Sequence, residues 1–363
     1  MTSSSLSSSS PIIRLPYVFS FQSLSCFFEG FMRLKKLSIS IRITYYNGHP
    51  IWHCDPKDDF FIDWITDFFT EPIRLRERCH CNTLSPEEIY YRQFHLVQQT
   101  ALDRYKSITP ISLRQSLRIV SQECKSFRSS IALAVYRWFK PRTVLDPCAR
   151  WGGRYMGAIA SGVVQSYYGI DYEKDLEEPF LQIRHILGRN LCDCFKFGIS
   201  FEDLSFAIPD SWGYFDLVFS SILPSLSLAN CRIFITKAWM RLRVGGFMVL
   251  NLDNSKNNTI TRDNLYHIVN SLPGVFPIQI FHIRGRVHDY HYYNIHAWKK
   301  NPSVITSRQR NSNRKSKSKP LLWPSSKIFS VDHQQTHPNY PRLPHQPQPK
   351  PQPQLLQQNG EKN

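Results

Sequence analysis

Residues 144–158 read VLDPCARWGGRYMGA. The apolar pair Val144 and Leu145 ends in Asp146, a turn with the adjacent glycines Gly152 and Gly153 follows, and a helical pattern opens behind it. A strand that stops at an acid and opens into a helix N-terminus is how a doubly wound α/β sheet builds a ligand crevice. Further on, the stretch YYGID ends in Asp171. A second strand tip that carries a carboxylate fits a ligand with ribose hydroxyls.

Outward from these two strands the chain alternates. Strands are expected near residues 143–146, 167–171, 194–199, 215–220, 247–252, 277–283 and 293–298. Helical patterns lie near 153–161, 176–188, 229–242 and 262–272, and Gly245-Gly246 marks the turn from a helix into the fifth strand. Strands that alternate with helices imply a mostly parallel sheet covered on both faces, here seven-stranded and doubly wound. Before it, Phe60, Phe61, Trp64, Ile65, Phe68 and Phe69 recur at helical spacing, a stripe that more often packs in a core than binds a ligand. Ser85-Pro86-Glu87-Glu88 is a capping-box start for a helix running to about Tyr105, Thr109-Pro110 opens another, and 126–140 reads as a third. The expected organisation is a Ser-rich basic extension over 1–40, a helical segment over 41–125, the sheet domain over 126–300 and a basic Pro/Gln-rich tail over 301–363.

The 363 residues carry a net charge of +17, with 42% hydrophobic and 13% aromatic residues, enough for a substantial core. A mean hydropathy of −0.35 and the lack of a long apolar run argue against a membrane span. The tail holds ten Lys/Arg against two acids, and residues 1–300 hold 35 against 26, so the body is only moderately basic. That balance fits a polyanionic partner. The run RQRNSNRKSKSK at 308–319 reads as a nuclear address, a nucleic-acid arm or a solvated tail without a partner, and the Gln/Pro/His-rich 333–359 has the composition of a disordered segment. Residues 1–40 faintly resemble a transit peptide; an upstream extension or simple disorder is the favoured reading. Nine scattered cysteines point to a reducing, intracellular compartment. Cys79-His80-Cys81 and His53-Cys54 do not supply four ligands at recognised spacings, so no metal site is expected.

At this point the residues suggest a family. DPCARWGGR, 146–154, resembles the DPCAGWGGR signature of class I S-adenosylmethionine-dependent methyltransferases. The type it most resembles acts on exocyclic amino groups of nucleic-acid bases (N6-adenine or N4-cytosine) in large DNA viruses and phages. CKSFR at 124–128, YYGID, ISFED at 199–203, FDLVFSS at 215–221, KAWMRLRVGGFMVLNLDN at 237–254 and NIHAWKK at 294–300 resemble the other segments of that family in order and spacing. The resemblance implies S-adenosylmethionine as cofactor, held by Phe127, Arg128, Asp146, Cys148, Ala149, Gly152, Gly153, Asp171, Tyr172 and an acidic turn with Glu202 and Asp203. Asp171 would accept from both ribose hydroxyls, and Glu202 or Asp203 from the adenine amino group. It also implies a nucleic-acid partner, DNA favoured over RNA, with a protein partner as a further option, and places the chain in a nucleus or host cytoplasm, with organelle targeting a weaker reading.

Two positions depart from the family pattern. Arg150 stands where the family has a glycine, and is free either to swing outward or to narrow the cofactor pocket. After the fourth strand the family carries a tetrapeptide of the type Asp/Asn/Ser-Pro-Pro-Tyr, whose first residue orients the target amino group; here the sequence is Ser221-Ile222-Leu223-Pro224. Ser221, with Ser220 beside it, is the candidate for that role, and the stacking aromatic is missing. Three readings follow: methyl transfer to a base amino group, a catalytically inactive methyltransferase-like protein that binds nucleic acid or a partner enzyme, and methyl transfer to another acceptor.

Overall fold

The computed structural model describes residues 14–17, 23–46, 49–56, 60–78, 83–121, 123–187, 191–199, 203, 208–222, 226–252, 260–284 and 292–302. The strands are β1 (Ile39–Tyr46), β2 (His49–Pro56), β3 (Thr143–Asp146), β4 (Ser166–Ile170), β5 (Cys192–Lys196), β6 (Phe215–Ile222), β7 (Leu242–Leu252), β8 (Val275–Arg284) and β9 (Tyr292–Lys300). They form one sheet in the order β1-β2-β8-β9-β7-β6-β3-β4-β5. From β5 to β7 neighbours run parallel, and β9 lies antiparallel between β7 and β8. These seven strands are the doubly wound Rossmann-like sheet expected from the sequence.

Two strands were not expected. β1 and β2 pair antiparallel, and β2 adds in parallel to β8, so residues read as part of a helical segment lengthen the sheet. The alternation Ile39, Ile41, Ile43, Tyr45 is a period-two pattern, and the sequence between the two strands is Asn-Gly, the pair that two-residue hairpins favour. Helix α1 (Leu24–Lys36) likewise falls in the stretch expected to be disordered. Phe27, Phe31 and Leu34 stand on one helical face and enter the main core, and Ser23 caps the helix.

The remaining helices are α2 (Phe60–Trp64), α3 (Asp67–Arg76), α4 (Pro86–Arg92), α5 (Phe94–Tyr105), α6 (Pro110–Val120), α7 (Ser129–Phe139), α8 (Gly153–Ser161), α9 (Glu177–Leu187), α10 (Leu228–Met240) and α11 (Arg262–Asn270). The capping boxes at Ser85 and Thr109 are both formed. The helix expected to run unbroken to Tyr105 is interrupted at Gln93, whose non-helical backbone ends α4 and starts α5.

The central strands are apolar on both sides, and their residues divide by alternation. Val144, Leu217, Phe219, Val249 and Ala297 pack beneath α1, α7, α8 and α9. Leu145, Val218, Met248, Leu250 and Trp298 pack beneath α10 and α11. A smaller core joins α4, α5 and α6 through Tyr90, Val97, Ala101, Leu113 and Leu117. Strand β3 leads into α8, which packs on one face, whereas β6 leads into α10, which packs on the other. The neighbours β3 and β6 therefore send their connections apart, and a crevice opens at their carboxyl ends.

The N-terminal helices are fastened to this unit by buried charges. Arg114 Nε donates to Glu71 Oε1 at 2.7 Å, and its Nη1 and Nη2 both reach the Glu123 carboxylate. Arg74 donates to Asp67 Oδ2 (2.7 Å) and to Glu123 Oε2 (2.8 Å), which ties α3 and α6 to the segment that leads into α7. Burial alone would push the Glu123 carboxyl up, but Arg114 and Arg74 outweigh it and hold it at about 2. A depressed carboxyl contributes stability that is present above its unfolded pKa and is lost as pH falls through the folded one. Urea unfolding between pH 6 and the acid range is expected to show a loss of roughly 3 kcal/mol assignable to this group. In Glu123→Gln that acid-dependent component disappears while stability at neutral pH falls.

Candidate functional site

At the carboxyl ends of β3 and β6 the structure places a buried arginine. Arg154, in the first turn of α8, is 1% exposed. Its Nε donates to Asp146 Oδ2 at 2.7 Å, its Nη1 to Ser221 Oγ at 2.8 Å, and its Nη2 to the carbonyl of Cys148. Phe127 and Phe219 cover the guanidinium, 5.2 and 5.9 Å from their ring centres. Burial works against the charge of Arg154, and Asp146 beside it outweighs that cost. Asp146 also accepts from Tyr167 Oη at 2.5 Å and, on Oδ1, from the backbone N–H of Cys148 at 3.3 Å. The carboxylate read as a cofactor ligand is thus fully enclosed by protein donors, and it joins β3 to α8 and to β4.

The glycine turn is built around this clamp. Gly152 has φ of +79°, a left-handed conformation that glycine adopts without strain, and it caps α8. A Cβ on Gly153 would lie 1.9 Å from the Phe127 carbonyl oxygen, so this glycine serves the close packing of α8 on the start of α7. Ala149 and Cys148 are buried, and the Ala149 N–H donates to the Ile170 carbonyl at 2.9 Å. Burial pushes the Cys148 thiol well above its ordinary value, which makes it a poor nucleophile.

Asp171 closes β4 and is 2% exposed. Its Oδ2 accepts from the Arg150 N–H at 2.6 Å and its Oδ1 from the Glu173 N–H at 3.0 Å. Burial raises its carboxyl above the ordinary range, against the pull of the Arg150 guanidinium and the two backbone donors. A carboxylate offers four lone-pair directions, so each oxygen keeps one for a further donor. Asp146 and Asp171 stand at neighbouring strand tips, and the 148–150 backbone contacts each of them.

Arg150 does not swing outward. Its φ of +47° sets it in the left-handed region, a strained setting for a residue with a Cβ. The guanidinium stacks over Trp151 and Tyr172, at 4.4 and 4.9 Å from the ring centres, and bonds to Tyr172 Oη. Tyr172 Oη in turn donates to Glu77 Oε1 at 2.6 Å, just beyond α3. Glu77, Tyr172 and Arg150 form a latch across the tip of β4.

Three other expected residues take different positions. Arg128 is buried at the N-terminus of α7 and donates from Nε to Asp63 Oδ2 at 2.5 Å, so it anchors α2 rather than reaching into the crevice. Asp63 also accepts from the Ser130 N–H and hydroxyl, at 3.1 and 2.8 Å. Ser220, offered as a catalytic partner, is completely buried on the α10 side of β6, because alternation turns it away from Ser221. Only Ser221 is partly exposed at the crevice, with Asn251 Nδ2 from β7 at 3.5 Å. Asp203 is exposed, whereas Glu202 and residues 223–225 lie outside the described residues. Cys79, His80 and Cys81 also lie outside them, and among the described residues no His/Cys/Asp/Glu cluster could hold a metal ion. No helix of the described residues is long and apolar enough to cross a membrane.

Sequence reasoning missed Arg154, Tyr167, Glu77 and Asn251. Arg154 sits inside the quoted signature, but nothing in its spacing reveals that it bridges two strand tips.

No protein-family model and no curated protein matches the chain. Among solved structures it is similar to an rRNA methylase from Streptococcus thermophilus, at 14% identity over 49% of this chain and 99% of that one, with a TM-score of 0.35. It is also similar to the O-methyltransferase TomG from Streptomyces achromogenes, solved with SAM, at 11% identity over 59% and 96% of the chains and a TM-score of 0.40. A third is the M. jannaschii tRNA m1G37 methyltransferase, at 15% identity, 48% and 51% coverage and a TM-score of 0.36. Likeness at this level leaves ligand and chemistry to be argued from the residues.

Removing Arg154 while keeping Asp146 would strand a buried charge. Arg154→Met is expected to lose about 3–5 kcal/mol in urea unfolding, and the double variant with Asp146→Leu to recover part of that loss.

Proposed function

We propose that this chain is a methyltransferase-fold protein that holds S-adenosylmethionine across the carboxyl ends of β3, β4 and β5 and transfers its methyl group to an exocyclic amino group of a nucleic-acid base. The observation that carries the reading is Asp171. Its carboxylate is buried, each oxygen is already fixed by one backbone N–H, and each retains one lone pair, an arrangement suited to two vicinal hydroxyls. The 148–150 backbone turn and Tyr172 flank the same tip, so the residues present fit the sugar side of the donor. When bound, the donor supplies an electrophilic methyl group on a sulfonium.

On the acceptor side Ser221 is the residue at the crevice. Arg154 Nη1 donates to its oxygen at 2.8 Å and fixes the side chain, and the long Asn251 Nδ2 contact at 3.5 Å is the one that an incoming amino N–H would replace. Accepting that hydrogen bond keeps the nitrogen lone pair turned toward the methyl group. The resemblance to base methyltransferases favours DNA over RNA as the acceptor.

A second reading, a scaffold that no longer transfers methyl groups, is favoured by Arg150. Its guanidinium lies on the Tyr172 ring, where a planar ligand group beside Asp171 would stack, and its charge opposes a sulfonium nearby. Calorimetry with S-adenosylmethionine separates the two. The donor reading expects measurable heat, tighter binding in Arg150→Gly and at least tenfold weaker binding in Asp171→Ala, about 1.4 kcal/mol or more. Absence of heat at millimolar donor in both the parent chain and Arg150→Gly would overturn it. Transfer of tritiated methyl to mixed DNA and RNA by donor-loaded protein then tests the chemistry, and a blank result leaves the scaffold.

A further inference from the structure

We propose that the amino-terminal edge of the sheet, opposite the crevice, is a docking surface for single-stranded nucleic acid. This does not rest on donor binding. The edge is where α7 ends and β3, β6, β7 and β8 begin, and cations collect there from separate elements. Arg137 donates to the Lys35 carbonyl at 2.5 Å and to the Leu37 carbonyl at 2.6 Å, which brings the basic end of α1, Lys35 and Lys36, against the end of α7. Lys140 and Arg142 follow on the surface. Arg243, at the start of β7, has a side chain 57% exposed. Lys299, near the end of β9, lies over the Phe247 ring at 5.9 Å, and Phe139 at the end of α7 packs on the same ring at 4.9 Å.

Two acids stand in this row and neither reverses its sign. Asp216 is buried, accepts from the Arg142 and Thr143 N–H groups at 2.7 and 3.1 Å, and pairs with Arg243 at 2.8 Å. Asp210 pairs with Arg241 at 2.5 Å. Aromatic rings are set between the cations rather than gathered into one apolar patch. Trp138 is partly exposed, Tyr214 stands out beside Arg241, and Phe276 is exposed opposite Lys299 in the β8–β9 ladder. Cations that track a backbone, interleaved with exposed rings on which bases stack, are the combination that binds single strands without sequence preference.

The direction of the chain adds to this. β9 runs antiparallel to its neighbours and so ends at this edge with Lys300. The sequence then carries the run RQRNSNRKSKSK, which begins eight residues later at position 308. The basic run therefore follows this edge closely in the sequence.

The test uses the full-length protein and a fluorescein-labelled single-stranded oligonucleotide of about 30 mixed nucleotides, read by anisotropy between about 50 and 300 mM salt. Lys140→Glu/Arg142→Glu/Arg243→Glu is expected to bind at least tenfold more weakly at physiological salt, with a log–log salt slope shallower by about 2, since each lost phosphate contact removes roughly 0.7. Trp138→Ala is expected to bind several-fold more weakly with an unchanged slope. A control with Arg92→Glu/Arg104→Glu, exposed cations on α4 and α5, changes affinity less than about twofold. Melting temperatures matched to the parent exclude unfolding as the cause. Parent-like affinity and slope in the triple variant, or an equal loss in the control, would overturn the proposal. Parent-like binding by Trp138→Ala would overturn the assignment to single strands. Calorimetry with S-adenosylmethionine on the triple variant keeps this outcome apart from the donor question, because the crevice is untouched.

Discussion

The architecture turns on one buried cation. Arg154 stands at the place where the strand connections diverge, and it ties Asp146 on β3, Ser221 on β6 and the Cys148 carbonyl into one cluster. A guanidinium without water is tolerable only when its donors are used and its charge is balanced. Asp146 supplies the balance, and Phe127 and Phe219 pack against the guanidinium. A crevice between diverging connections has no backbone ladder to brace its mouth beyond the strand ends. Here side chains perform that bracing, and they hold the partly exposed serine in one position.

The N-terminal segment is part of the same construction. Arg128 with Asp63 joins α7 to α2, and the Arg74, Arg114 and Glu123 cluster joins α3 and α6 to the stretch before α7. Buried ion pairs contribute little net stability against apolar packing of equal volume, but they admit very few alternative arrangements. The contribution here is to register: the helices sit on the sheet domain in one way, and the end of α3 is thereby delivered to the rim of the crevice. The cost of α7 and α8 packing so closely is borne at Gly153, where no side chain fits.

Much of the fold was legible because the sheet is buried on both faces. Runs such as Val144–Asp146 and Phe215–Ser220 are mostly apolar and short, and Asp146 closes the first of them. The β1–β2 hairpin escaped notice although Ile39, Ile41 and Ile43 alternate, because aromatic helical stripes nearby suggested a wholly helical segment. The site was legible as a set of positions and not as a set of roles. Asp146 and Asp171 both end strands, yet one is consumed by Arg154 and Tyr167 while the other keeps lone pairs. Strand-end position is a local property; which partner reaches a carboxylate depends on residues far away in sequence, as Ser221 and Glu77 show. Arg150 illustrates the same limit. An arginine beside the glycine turn was visible in the sequence, but the pull inward comes from Tyr172 and Glu77.

The latch from Glu77 through Tyr172 to Arg150 has a thermodynamic consequence. A planar group that takes the place of the guanidinium on the Tyr172 ring also removes its 3.8 Å contact with Glu77 at the end of α3, and leaves that carboxylate held by Tyr172 Oη alone among the described residues. Occupation of the strand tip and loosening of that tether are then coupled. The intrinsic affinity of such an occupant is reduced by the fraction of molecules whose latch is open, and whatever loosens the tether elsewhere raises it by the same factor. The rim of the crevice and the helices outside it thus share a single equilibrium, so a change in the way the α3 end is held is felt as a change in how strongly the β4 tip attracts a ligand.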